Sequence, residues 1–190
     1  MITLDPLTHI YRDSAGVQVP GVTGILKGAG LIDDRFFDEY SRDRGSLVHQ
    51  ACAMYDRDDL DMDTLDPVLA PYVRAWIAFR NDAGFMPASV EKIIHNRTYG
   101  YAGTLDVVGK IPGASNWLID RKTGTAQSWS ALQTAAYAEC FNEPHRRGVV
   151  ELDGEGKYRL IEHKDRNDIK VFLAALAVVN WNRNNKIGGR

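Results

Sequence analysis

WLIDRKTG, residues 117–124, is the most informative segment of this 190-residue chain. Three apolar residues precede Asp120, which is typical of a buried strand that leads into a polar site. Side chains on a strand alternate between its two faces, so Asp120 and Lys122 are predicted to project from the same face. An Asp-x-Lys pair on a strand more often belongs to a solvated surface, so these two residues alone do not identify an active site.

A second acidic residue lies in the preceding segment GTLD, residues 103–106. Antiparallel pairing across the predicted turn at residues 111–115 would bring Asp106 beside Asp120. Two carboxylates at one point favour a hard divalent cation, Mg²⁺ or Mn²⁺, because it takes oxygen ligands and relieves their repulsion. A metal held in this way can activate water and neutralise charge during displacement at phosphorus, while Lys122 orients the water.

The next predicted helix carries Gln133 and Tyr137, whose spacing of four places both on one helical face. Gly124 follows Lys122 by two residues and separates the strand from this helix. The combination of Asp106, the Asp-x-Lys pair, the glycine and the helical pair is a pattern that a solvated surface does not explain.

These residues resemble the RecB-type and lambda-exonuclease-type branches of the PD-(D/E)XK nucleases, whose pattern is G-x-x-D, D-x-K-[ST]-G and Q-x-x-x-Y. The resemblance implies a restriction-endonuclease-like core. It also implies that Asp106 and Asp120 bind metal, that Lys122 is the catalytic lysine, and that Gln133 and Tyr137 line the site.

Two segments nearer the N-terminus extend the resemblance. RGSLVH, residues 44–49, is similar to the R-G-[ST]-x-x-H segment of the RecB-type branch, which implies that His49 is a metal ligand in its neutral form. Taken singly, His49 is more typical of a core or surface histidine. VPGVTGIL, residues 19–26, resembles V-P-S-V-T-x-I-L of phage-encoded members, with Gly21 where serine is usual.

Three further residues are candidates for substrate binding. Arg44 shares a motif with His49, and Arg121 lies between Asp120 and Lys122, where a substrate phosphate would pass. Glu91 occupies a place where related nucleases often carry an acidic residue on the first core strand, although a solvated charge is an equal alternative.

Periodicity predicts an α/β or α+β domain, with an N-terminal β-hairpin and a central mixed β-sheet flanked by helices. The predicted elements, in order, are a hairpin within residues 9–26, a helix over 33–55 interrupted at Gly45, a helix from Asp66-Pro67 to Gly84, strands at 89–95, 101–110 and 116–121, a helix from Ser128 or Ser130, strands at 149–152 and 158–162, and a helix from about Asn167.

Composition sets limits without identifying a function. The length fits one domain over residues 1–190, and 44% hydrophobic and 25% charged residues are ordinary for a globular protein. The net charge of −2 does not exclude nucleic-acid binding, because metal-binding carboxylates cancel basic residues in the count. Cys52 and Cys140 have no metal-site spacing and are predicted to be buried free thiols.

We find no membrane-spanning or signal segment in the sequence, so we expect a cytoplasmic protein of a bacterial or phage-infected cell. The expected function is Mg²⁺- or Mn²⁺-dependent exonucleolytic hydrolysis of DNA in recombination, repair or phage replication, with a recombination or replication protein as a further partner. One alternative is a catalytically silent DNA-binding or assembly module of the same fold. Another is a nuclease that cuts internally or acts on RNA.

Overall fold

A computed structural model describes residues 2–32, 38–113 and 115–185. The elements, in chain order, are β1 (Thr3–Asp5), β2 (Ile10–Arg12), β3 (Gln18–Val19), α1 (Val22–Gly28), α2 (Glu39–Asp56), α3 (Ala70–Ala83), β4 (Met86–Asn96), β5 (Tyr101–Lys110), β6 (Asn116–Thr123), α4 (Ser130–Ala138), β7 (Arg146–Leu152), β8 (Tyr158–Glu162) and α5 (Asp168–Asn184).

The main sheet has five strands in the order β4-β5-β6-β7-β8. Strands β6 and β7 are parallel, and the other neighbours are antiparallel. Parallel neighbours need a crossover connection, and α4 supplies it between β6 and β7. The predicted mixed sheet flanked by helices is therefore confirmed.

Helices cover both faces of this sheet. One core lies between the sheet and α1, α4 and α5, and it contains Leu105 and Leu118. The other lies between the sheet and α2 and α3, and it contains Val107, Ile119 and Trp76. The alternation of Leu118 and Ile119 between the two cores shows the two-residue period of β6 directly.

The N-terminal hairpin is present as β2 and β3, and β1 adds a third antiparallel strand that the sequence did not indicate. Its turn is held by Asp13, whose carboxylate accepts hydrogen bonds from the backbone amides of Ala15 and Val17. Val22, which was included in the hairpin, begins α1 instead. A backbone hydrogen bond from Ala102 to the Pro20 carbonyl joins the small sheet to β5.

Two predicted helix boundaries differ from the structure. Helix α2 runs without a break through Gly45, where the predicted interruption is absent. Residue 45 faces the end of β6, and a β-carbon there would meet Thr123 Oγ1 at 3.4 Å, an ordinary contact. The predicted start at residue 33 lies outside the described residues. Helix α3 begins at Ala70, after a turn in which the Asp66 carboxylate accepts from the Val68 amide.

Within the described ranges, the helices are too short or too polar to cross a membrane.

Candidate active site

The predicted acidic residues lie where β5 and β6 stop pairing. The pair of this antiparallel ladder farthest from the turn is Val107 with Ile119. Asp106 precedes Val107 and Asp120 follows Ile119, so the two aspartates lie just beyond the same end of the ladder. The predicted antiparallel pairing and turn therefore bring the two aspartates to one end of the ladder.

The two-residue period breaks at Asp106 and at the neighbouring position of β4. Leu105 packs in the core under α1, α4 and α5, whereas Val107 packs in the opposite core, although two residues apart on a regular strand share a face. Glu91 lies between residues paired with Val107 and Leu105, and its φ of 49° is in the left-handed region that non-glycine residues rarely adopt. Strained backbone of this kind is concentrated at functional sites.

This irregularity brings three ligand-type side chains together. One nitrogen of His49 and one carboxylate oxygen each of Glu91 and Asp106 lie within 4.8 Å of one another. His49 Nδ1 lies 3.2 Å from Asp106 Oδ2. An imidazole nitrogen and two carboxylate oxygens suit Mn²⁺, and the carboxylates suit Mg²⁺.

The composition of this cluster differs from the metal set inferred from the sequence. His49 and Asp106 belong to both sets, but among the described residues the cluster contains Glu91 and not Asp120. Glu91, which was grouped with the substrate-binding candidates, therefore lies in the candidate metal site.

Asp120 and Lys122 form a second group beside the cluster. Lys122 Nζ lies 2.9 Å from Asp120 Oδ2 and donates a hydrogen bond of 3.2 Å to Gln133 Oε1. Gln133 Nε2 in turn donates to the Tyr137 hydroxyl at 3.0 Å. The ammonium also lies 4.9 Å from the centre of the Trp129 ring, a cation–π distance. The helical pair thus contacts the lysine of the Asp-x-Lys motif.

Gly103 allows Tyr137 to reach this position. A β-carbon at residue 103 would lie 2.6 Å from Tyr137 Cε1, far inside van der Waals contact. The glycine of the GTLD segment therefore allows close packing between β5 and α4.

Arg121 does not lie where a substrate could touch it. Alternation turns it away from Lys122 into the core below α2 and α3, and none of its surface is exposed. Its guanidinium donates hydrogen bonds of 3.0 Å to Asp56 and to Glu91. Its backbone amide donates a hydrogen bond of 2.6 Å to Asp106 Oδ2. Arg121 therefore has no exposed surface for a phosphate in this structure, and its predicted role in substrate binding stays a prediction.

Arg44 also points elsewhere than expected. Its guanidinium lies 5.6 Å from the ring centre of Tyr40 and 5.4 Å from that of Tyr72. It does not line the cleft that contains His49, whereas Arg42, two residues earlier on the same helix, does. The prediction of Arg44 as a phosphate-binding residue is not supported by this orientation.

The candidate site opens into a cleft of about 860 Å³. The N-terminal sheet, α1 and α2 contribute to its lining, together with Trp129. His49, Glu91, Asp106 and Lys122 all line this cleft, so the ligand-type side chains are reachable from solvent.

Charges crowded in the site shift the acids in opposite directions. Burial opposes ionisation of Asp106, but His49, Arg121 and Lys122 outweigh it and hold the Asp106 pKa well below its usual value. Burial, reinforced by Asp106, raises the pKa of Glu91 to about 7 and also raises the pKa of Asp120. A second positive charge at this place would relieve that repulsion.

The same neighbouring charges also shift the pKa of His49. Burial alone would lower its pKa, but the adjacent Asp106 carboxylate outweighs burial and raises it. A metal would have to displace the proton shared between these two groups before it bound the imidazole.

Comparison with solved structures shows a related fold. A protein from Eubacterium rectale assigned as an exonuclease matches with a TM-score of 0.50 and 18% identity, over 85% of this chain and 71% of that one. LHK-Exo, an alkaline exonuclease of Laribacter hongkongensis solved with dAMP, matches with a TM-score of 0.45 and 11% identity over 89% of each chain. No protein-family model and no curated protein matches the sequence. At these identities the first match shows a shared fold, and the second is too distant to carry an argument.

Proposed function

We propose that this protein is a divalent-metal-dependent deoxyribonuclease that hydrolyses phosphodiester bonds at DNA ends. The observation that carries the proposal is the convergence of His49, Glu91 and Asp106 beside the Asp120–Lys122 pair in an open cleft. The fold shared with a protein assigned as an exonuclease supports it.

The residues present suit Mg²⁺ or Mn²⁺, held by His49, Glu91 and Asp106 with Asp120 nearby. The bound cation would supply Lewis acidity, which activates water and offsets the charge that develops on the phosphate. Without it, the cluster brings two carboxylates close together and raises the pKa of Glu91, so the donor set itself favours a cation.

Lys122 provides a positive group, next to the candidate metal ligands, that the protein itself can present to a phosphate. Its ammonium is partly exposed in the cleft and is held from below by Asp120 and from α4 by Gln133. Nζ has three protons, and the two that these partners take leave one to donate to a phosphate oxygen or an attacking water. Fixed donors of this kind stabilise developing negative charge without reorganisation.

An exonuclease, rather than an enzyme that cuts internally, fits a cleft that several segments of the chain line. Residues from the N-terminal sheet, α1, α2 and the segment before α4 surround the candidate site. A frayed strand end enters such a space more easily than the middle of a duplex, and Trp129 offers an aromatic ring on which a base can stack. Recombination, repair or phage replication are the processes in which we place such an activity.

Nucleotide release from linear DNA tests the proposal. We expect release with Mg²⁺ or Mn²⁺ and none in EDTA, and a loss of at least a hundredfold in Asp120→Ala and Lys122→Ala. Lys157→Ala is the matched control, because Lys157 is an exposed lysine paired with Glu155 away from the cleft. Unchanged release in the first two variants would exclude the proposed site.

Other substrates and a metal-binding measurement distinguish the alternatives. Degradation of covalently closed circular DNA would show internal cutting, and preferential degradation of RNA would change the substrate. DNA binding with no divalent-metal binding in calorimetry would identify a silent module.

A further inference from the structure

All three candidate metal ligands are connected to a single residue, Arg121. The connection to Asp106 is through the backbone, since the Arg121 amide donates to Asp106 Oδ2 at 2.6 Å. The guanidinium also lies near this oxygen, with Nε at 3.9 Å. The side chain makes the connections to the other two ligands.

Glu91 is held directly by the guanidinium. Arg121 Nη2 donates to Glu91 Oε1 at 3.0 Å, and Glu91 also lines the cleft. Glu91 lies on backbone with a φ of 49°, where strand geometry does not fix its direction. Its ion pair with Arg121 therefore supplies the constraint that regular pairing does not.

His49 is held indirectly, through its own helix. Asp56 follows His49 by seven residues on α2, two helical turns, so both side chains project from the same face toward β6. Arg121 Nη1 donates to Asp56 Oδ2 at 3.0 Å. The ion pair thus fixes α2, and His49 with it, against the strand that carries Asp120.

The far end of this connection is itself rigid. Asp56 Oδ1 accepts hydrogen bonds from Trp76 Nε1 at 2.8 Å and from Arg80 Nη1 at 2.9 Å, both on α3. The guanidinium of Arg121 lies 5.1 Å from the Trp76 ring centre. Neither Asp56 nor Arg121 has exposed side-chain surface.

We propose that Arg121 is a positioning residue that aims Glu91 and His49 at a common cation and thereby sets the metal affinity of the site. The proposal rests on the proposed function, because it needs the cluster to bind metal. Arginine suits this role because its planar fork can bond two carboxylates in fixed directions, whereas lysine is a single point charge. Buried ion pairs contribute little net stability, so stability alone is a weak reason for this arrangement.

Calorimetric titration with Mn²⁺ tests the proposal. Arg121→Lys keeps the charge and the backbone bond to Asp106 but cannot bridge Asp56 and Glu91 in the same way. We expect its Kd for Mn²⁺ to rise about 10- to 100-fold, the usual effect of removing a group that orients a ligand. Nuclease activity should recover as Mn²⁺ is increased, because the chemical groups are intact.

Arg147→Lys is the matched control. Arg147 is a mostly buried, ion-paired arginine on the adjacent strand β7, bonded to Asp168 and to the Ala131 carbonyl rather than to the candidate site. It should lower the thermal midpoint in EDTA as Arg121→Lys does, and leave the Kd for Mn²⁺ unchanged. A rise in Kd of equal size in both variants would show a general packing effect and overturn the proposal.

Asp56→Asn provides a second test if Arg121→Lys does not fold. It keeps the shape of Asp56 and its contacts with Trp76, and it removes the charge that holds the guanidinium, so we expect a smaller rise in Kd. Equal Mn²⁺ affinity in the wild type and this variant would overturn the positioning role alone. Absence of Mn²⁺ binding in the wild-type protein would overturn the proposed metal site as well.

Discussion

Gly103→Ala should damage the site through Tyr137 without touching any charged group. The added β-carbon would lie 2.6 Å from Tyr137 Cε1, and ordinary contact begins at 3.4 Å, so the ring must move by about 0.8 Å. Tyr137 is almost fully buried, so it has little free space to accept this shift. Overpacking of this kind costs about 1–3 kcal/mol of stability, which corresponds to roughly 2–12 °C in thermal midpoint.

The same movement should reach Lys122. The Tyr137 hydroxyl accepts from Gln133, and Gln133 accepts from Lys122 Nζ, so a shifted ring displaces the ammonium through two hydrogen bonds. A misplacement of about 1 Å can cost on the order of a hundredfold in rate, and we expect a loss of about 10- to 100-fold in kcat.

Circular dichroism melting and nucleotide release, measured on the same preparation, separate the two effects. Gly154→Ala is the control: Gly154 does not line the cleft, and a β-carbon there would meet only the Tyr72 side chain, at 3.4 Å or more, which is ordinary contact, so we expect little change in activity or melting temperature. A Gly103→Ala protein with full activity and an unchanged melting temperature would refute the packing role of Gly103 and the connection from Tyr137 to Lys122.

Three other predictions concern the Tyr137 hydroxyl, the Glu91 carboxyl and the two cysteine thiols. Tyr137→Phe removes only the hydroxyl that accepts from Gln133, so we expect a stability loss of about 0.5–1.5 kcal/mol in urea unfolding and a smaller loss of activity than in Gly103→Ala. The folded pKa of Glu91, about 7, lies above its ordinary 4.5, so its contribution to stability is complete below pH 4.5 and is lost as the pH rises through 7. In EDTA, the Glu91→Gln protein should not show this loss of unfolding free energy, which we place at about 1 kcal/mol because the Glu91 side chain is 33% exposed and screened by solvent. Parallel profiles of unfolding free energy against pH for the wild type and this variant would contradict the prediction. Cys52 is buried and Cys140 is partly buried, and burial raises both thiol pKa values to about 12, so a thiol reagent at pH 8 should label the native protein far more slowly than the unfolded one; equal rates would contradict this protection.

The features that the sequence could predict are those set by residues close together in the chain. A period of two placed Asp120 and Lys122 together, and a spacing of four placed Gln133 and Tyr137 on one face of α4. The short connection between β5 and β6 placed Asp106 near Asp120. In each case the distance along the chain already determines the distance in space.

The features that sequence could not predict depend on contacts between distant segments or on a break in the repeat. Asp56 and Arg121 are 65 positions apart, and nothing local in either segment indicates their pairing. Arg44 turns toward Tyr72 of α3, a partner that only the packing of two helices provides. Glu91 joins His49 because β4 departs from regular strand geometry at a residue other than glycine, where a sequence pattern gives no warning.

The parallel pairing of β6 with β7 has a consequence for the order in which the site assembles. Strands β4, β5 and β6 pair through short turns, so Glu91, Asp106 and Asp120 can gather early in folding. Gln133 reaches Lys122 only after α4 has docked as the crossover to β7. We therefore expect a partly folded chain to hold its acidic groups in place while Lys122, paired with Asp120, still lacks its hydrogen bond to Gln133, so that the complete candidate site is the last feature to form.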